Sequence, residues 1–146
     1  MEQLTQVAEI TVSYTPRTCM PQIVRSEDAH RELRNFFPEE LIHLQEQFVV
    51  MYLNAARRTL GIYRLYIGGI TGNHVADPCL ILGTALKVAA TAIIISHNHP
   101  SGNLQPSRQD EELTAKIKQA CKLMDIYLAV HVIVSPKEGE YFSFAD

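Results

Sequence analysis

Cysteine is scarce in this chain: Cys19, Cys79 and Cys121 are odd in number and widely spaced. That excludes a disulfide framework, and the three read as small buried hydrophobes in a reducing compartment, the cytoplasm. Long apolar runs are missing too, since no stretch approaches the ~20 residues of a membrane span. Residues 1–15 carry neither the basic stretch nor the apolar core of a secretory signal. A soluble protein with no membrane partner is therefore expected. Positive charge is not in surplus either. The net charge is −3 and the Lys and Arg residues are scattered, so the field that would draw a phosphate backbone is weak and direct nucleic-acid binding is not expected. Arg57-Arg58 reads as a solvated turn, and Lys116, Lys118 and Lys122 as a solvated helix face. Repeats, low-complexity tracts and linkers are absent, so residues 1–146 read as one domain, long enough to bury roughly 68% of the unfolded surface.

Hydropathy patterning supplies the elements. Residues 6–14 alternate, with Ile10, Val12 and Tyr14 against Glu9, Thr11 and Ser13, which predicts a half-buried strand. Pro16 and Pro21 make residues 15–22 a loop. A short helix is expected from about Glu27, with Ser26 as its cap, ending before Pro38; residues 38–45 are ambiguous. The runs EQFVVMYL (46–53) and TLGIYRLYI (59–67) predict a hairpin joined by the turn 54–58. Gly68, Gly69, Thr71, Gly72 and Asn73 read as a loop. A helix from Pro78 to about Ala90 follows, capped by Asp77. Residues 126–134 (IYLAVHVIV) and 141–144 predict two more strands around the turn 135–139. Two hairpins with helices inserted between strands give an α/β protein, a mixed sheet covered by helices on its faces.

The chemistry concentrates in residues 91–110, TAIIISHNHPSGNLQPSRQD. The short β-branched run 92–96 predicts a buried strand that ends in two histidines. His97 and His99, at i and i+2, point to one face with Cα atoms roughly 6.6 Å apart and can converge on one metal ion. Pro100, Ser101, Gly102 and Asn103 turn the chain, and a helix starts near Ser107, with Asp110, Glu111 and Glu112 in its first turn and Leu113, Ile117, Cys121 and Met124 at helical spacing. Asp110 can swing back as a third, oxygen ligand. Two imidazoles and one carboxylate, with a position left for water, form a catalytic zinc shell, and zinc lowers the pKa of bound water from about 15.7 to about 7. Hydrolysis is the inferred chemistry. The same Ser107 and Asp110 also read as a capping box that merely satisfies orphan amides.

These residues carry a resemblance. His97-x-His99, seven residues, Ser107, two residues and Asp110 resemble the JAMM (MPN+) metallopeptidase signature, and HNHPSG followed by PSRQD is similar to the RadC branch of that family. The resemblance is strongest over residues 40–146. It implies a three-layer α-β-α MPN fold related to the cytidine deaminases, one zinc ion per chain held by His97, His99 and Asp110, and a protein or peptide substrate cleaved at a peptide or isopeptide bond. It also implies a general base, Glu46, before the apolar strand FVVMYLN, and a role for Ser107 in steadying the oxyanion. By itself Glu46 is an ordinary strand-edge acid with Glu39, Glu40 and Asp77 as competitors.

The chain departs from the family pattern at two places. RadC-like chains usually have Arg-Glu where this one has Cys79-Leu80, and often Asp-His where it has Val130-His131, which puts a supporting or substrate role for His131 in doubt and leaves it to be read as a satisfied core histidine. Asn98, between the ligands, is expected to point to the opposite face and hold the turn. His30, His43 and His74 have no ligand spacing. A non-catalytic MPN module gripping a protein partner is the alternative reading. Nucleic-acid processing, prompted by the DNA-repair association of RadC, is disfavoured: RadC proteins usually carry an N-terminal helix-hairpin-helix region that this chain lacks. A nucleoside deaminase is disfavoured as well, because neither His-x-Glu nor Pro-Cys-x-x-Cys is present.

Overall fold

β-Branched and aromatic runs form the strands and capped amphipathic runs the helices, in the order α1 (Ser26–Arg34), β1 (Gln47–Leu53), β2 (Thr59–Ile67), α2 (Pro78–Lys87), β3 (Ala92–Asn98), α3 (Arg108–Leu123), β4 (Tyr127–Val134) and β5 (Tyr141–Ser143). The structure is a computed structural model that describes residues 6–68 and 76–144. The loop residues Gly69, Thr71, Gly72 and Asn73, and His74, lie outside the described residues. The sheet runs β2-β1-β3-β4-β5. It is mixed: β1 is antiparallel to β2 and β3, β3 is parallel to β4 through the α3 crossover, and β5 returns antiparallel to β4.

Strand alternation splits the core into two layers. Val49, Met51 and Leu53 of β1, Ile94 of β3 and Val130, Val132 and Val134 of β4 pack with Ala29 and Leu33 of α1. Phe48, Val50 and Tyr52, with Ile93 and Ile95, pack on the other face against Ile81 and Ala85 of α2 and Ile117 and Cys121 of α3. Helices on both faces of one sheet make the expected three-layer α-β-α arrangement. β1 is buried along its whole length, because its neighbours on both edges and both faces are protein; that explains its continuous apolar run.

Several local expectations are corrected. Residues 6–14 form no strand; Ile10 and Val12 are 87% and 64% exposed. Their alternation is real, but these residues join no ladder of the sheet; the Tyr14 hydroxyl reaches it, donating to the Leu60 carbonyl. Helix α1 takes Arg25, not Ser26, as its N-cap residue, and the Asp28 carboxylate accepts the Val24 and Arg25 amides at 3.0 Å each. Residues 38–45 resolve into turns in which the Leu41 and Ile42 amides donate to the Pro38 carbonyl. Arg57 and Arg58 are exposed, yet both tie the N-terminal segment down by donating to the Ile23 and Met20 carbonyls. Of the cysteines only Cys121 is buried; Cys19 lies on the exposed N-terminal segment and Cys79 on the outer side of the first turn of α2. The Asp77 cap stands as expected, its Oδ1 accepting the Cys79 amide at 2.9 Å. Among the described residues no helix is long and apolar enough to cross a membrane.

Candidate metal centre

Alternation along β3 sends Ile94, Ser96 and Asn98 toward α1 and Ile93, Ile95 and His97 toward α3. His97 is thereby buried, with its ring parallel to Phe48 at 6.2 Å between centroids. His99 lies one residue beyond the strand, where its amide still donates to the Val134 carbonyl at 3.1 Å. The turn then closes with the Gly102 amide donating to the His99 carbonyl at 2.9 Å, and Gly102 sits at φ +82°, a region that favours glycine. The His99 ring is fixed by its Nδ1–H, which donates to the Asn103 carbonyl at 2.6 Å. Nε2 is left facing the site.

The third group arrives from the N-terminus of α3. Ser107 Oγ accepts the Asp110 amide at 3.0 Å, and Asp110 Oδ2 accepts the Ser107 amide at 2.9 Å. This capping box does not compete with a ligand role, because it fixes the carboxylate with Oδ1 3.1 Å from His97 Nε2 and Oδ2 3.1 Å from His99 Nε2. The two Nε2 atoms are 3.0 Å apart. Three electron-pair donors converge here within 4.8 Å, and among the described residues this is the group of His, Cys, Asp and Glu that can hold a metal ion. Tetrahedral bonds of about 2.0–2.1 Å put neighbouring donors about 3.3 Å apart. Two imidazoles and a carboxylate, each already oriented by a hydrogen bond on its far side, match that geometry and that donor set.

Electrostatics reflect the crowding. Burial acts to raise the Asp110 pKa, but hydrogen bonds from His97 and His99, the charge of His97 and the Ser107 amide outweigh it, and the carboxyl is held well below the usual range. Burial likewise opposes charge on His99, yet the hydrogen bonds to Asp110 and Asn103 leave its pKa above the ordinary 6.5. Burial, and then the nearby carboxylates of Glu46 and Asp110, push the Tyr66 hydroxyl well above the usual phenol range.

Glu46 immediately precedes β1. Its side chain is 27% exposed and its Oε1 is 3.9 Å from His97 Nε2. The antiparallel register that pairs Phe48 with His97 brings it there, and its carbonyl accepts the Gly68 amide. Glu39, Glu40 and Asp77 do not share that position. Asn98 points to the face opposite His97, as expected, but it does not hold its own turn. Its Oδ1 accepts the Gln47 amide at 2.7 Å, and its Nδ2 donates to the Gln45 carbonyl at 2.9 Å and the Ile42 carbonyl at 3.0 Å. One wholly buried side chain thus grips the backbone on both sides of Glu46.

His131 is a satisfied core histidine, as expected, although the acidic neighbour of the family pattern is missing. Val130 could not have served it, since the preceding strand residue faces the α1 layer. Its nitrogens instead meet His97 Nδ1 at 2.8 Å and Thr114 Oγ1 at 2.5 Å. Thr114 escaped the sequence reading; the available signal was a β-branched polar residue four after Asp110, one helical turn along the same face. Cys79 and Leu80 are exposed, His43 is exposed, and His30 stacks on Tyr141.

Residues 24–146 match the RadC-like JAB domain family. Relatives include a UPF0758 protein of Streptococcus gordonii, 39% identical over 117 residues that make up 80% of this chain and 50% of that protein. A UPF0758 protein of Streptococcus sanguinis is 41% identical over 70% of this chain and 44% of its own length. One from Flavobacterium johnsoniae is 36% identical over 87% of this chain and 53% of its own. This chain spans about half the length of the curated relatives it matches.

Proposed function

This chain belongs to the RadC-like JAB domain family, and we propose that it is a zinc-dependent hydrolase of peptide or isopeptide bonds. The reading rests on one observation: His97 Nε2, His99 Nε2 and the Asp110 carboxylate converge within 4.8 Å, with a half-buried Glu46 3.9 Å from His97. Zinc held by these three groups would polarise an amide carbonyl and bring the pKa of a coordinated water from about 15.7 to about 7. Glu46 takes the proton of the attacking water and hands it to the departing amine, a base-then-acid role suited to a carboxylate at the edge of a partly dry site. Ser107 Oγ uses a lone pair for the Asp110 amide, which leaves its O–H to donate to the developing oxyanion. Protein or peptide is the proposed substrate class. The exposed thiols of Cys19 and Cys79 fit a reducing compartment, and we place the protein in the cytoplasm.

Elemental analysis tests the metal directly. Untagged wild type should carry about one zinc per chain, and His99→Ala, purified identically, should carry almost none. A wild type that stays metal-free after zinc is supplied would overturn the proposal in favour of a binding module.

Zinc affinity should also depend on pH. An imidazole must be neutral to ligate, and the raised pKa of His99 keeps a competing proton on it from above 6.5 downward. Asp110, held low, stays ionised across that window. Apparent affinity, measured with a chromophoric chelator, should therefore fall as pH drops through the His99 pKa and level off above it. A flat profile between about pH 5 and 8 would contradict the assignment.

A further inference from the structure

Two polar side chains beside the metal centre take no part in the proton transfers above: the buried His131 on β4 and the half-buried Thr114 on α3. They form a closed loop with the ligands. His97 Nδ1 lies 2.8 Å from His131 Nε2, His131 Nδ1 lies 2.5 Å from Thr114 Oγ1, and Thr114 Oγ1 lies 2.7 Å from the Asp110 carbonyl.

Only one arrangement of protons satisfies this loop when His97 ligates through Nε2. His97 then carries its proton on Nδ1 and donates it to His131 Nε2, which must be bare. Neutral His131 therefore carries its own proton on Nδ1 and donates to Thr114 Oγ1. The threonine hydroxyl finally donates to the Asp110 carbonyl. The His131 ring is held for this task by Phe144, stacked at 4.6 Å and 9°, and by the edge contact with Phe48 at 6.3 Å. His99 needs no such device, because a backbone carbonyl already accepts from its Nδ1. For His97, inside the sheet, the neighbouring carbonyls and amides belong to the strand ladders with β1 and β4. A side chain supplies the acceptor instead.

We propose that His131 and Thr114 are positioning residues that fix His97 in its Nδ1–H form, so that Nε2 is presented to the metal. The inference rests on the metal-binding reading above and extends it to residues that touch neither metal nor substrate. An acceptor behind a ligating imidazole sets its tautomer and its basicity, and losing one costs about 10–100-fold in metal affinity.

The test is the zinc dissociation constant of the full chain, measured by competition with a chromophoric chelator. His131→Phe fills the ring volume but removes the acceptor, and should weaken binding by about 10–100-fold. His131→Gln places an amide oxygen where Nε2 stood, and should recover most of that loss. Thr114→Val breaks the second bond while keeping shape, and should fall between wild type and His131→Phe. Wild type binding no zinc would overturn the site itself. One zinc in wild type with equally tight binding in His131→Phe would overturn this inference alone, as would equal losses in the Phe and Gln variants. Nitrogen-15 NMR of the wild-type histidines checks the tautomer independently of how any variant folds: zinc-loaded protein should show His131 protonated on Nδ1, and protonation on Nε2 would sink the proposal.

Discussion

Glu46→Gln should keep its zinc and lose about 10²–10⁴-fold in amide hydrolysis, the usual contribution of a positioned general base. Glutamine is isosteric, and Glu46 lies 3.9 Å from His97 rather than among the three converging donors, so the metal shell is left whole. An amide, however, cannot take a proton from water or return one to an amine. Fluorogenic peptides and isopeptide-linked lysine conjugates, assayed at matched zinc content, provide the measurement. A variant as fast as wild type on a substrate that wild type cleaves would remove Glu46 from the mechanism. A matched loss of zinc would mean that it acts on the metal instead.

Asn98→Ala should be the most destabilising substitution at the site. Asparagine makes three hydrogen bonds while fully buried, to the Gln47 amide and the Ile42 and Gln45 carbonyls. Truncation leaves three backbone groups unpaired, at about 1–3 kcal/mol each. Water entering the vacated space recovers part of that, so about 3 kcal/mol is expected, which for a chain of this size lowers Tm by about 6–12 °C. Asn98→Asp should be at least as harmful, because it sets a carboxylate oxygen against two carbonyls. Thermal unfolding followed by circular dichroism measures both, with exposed His43→Ala as a control that should not move. A shift of only a degree or two in Asn98→Ala would mean that other contacts hold the Glu46 segment in place.

The centre was legible wherever its geometry is local. His97-x-His99 and Ser107-x-x-Asp110 are spaced within two and three residues, and the backbone periods of strand and helix convert such spacings into direction without help from the rest of the chain. The Asp77-Pro78 start of α2 and the Ser107 start of α3 were legible for the same reason: caps satisfy amides within the next turn. The failures share the opposite cause. Residues 6–14 alternate as well as any strand, but strand formation needs an edge to pair with, and alternation cannot say whether one accepts it. Cys79 looked buried beside Leu80 and Ile81, yet the outward side of α2 was decided by which of its faces meets the sheet. The partners that satisfy His131 were not legible either, because strand geometry places them across the layer rather than in the preceding residue.

By itself, then, the sequence determined an α/β protein with strands at 46–53, 59–67 and 126–134, and a histidine pair and a capped carboxylate able to meet at one point. Tertiary structure alone decided that Glu46 sits 3.9 Å from His97, that Asn98 grips the backbone around it from 51 residues away, and that His131 and Thr114 close a hydrogen-bonded loop behind the ligands. Those contacts depend on the registers of β1 on β3 and β3 on β4. Register is set by packing two apolar layers at once, and a one-residue slip of a strand would turn its side chains to the other face and part them from these partners.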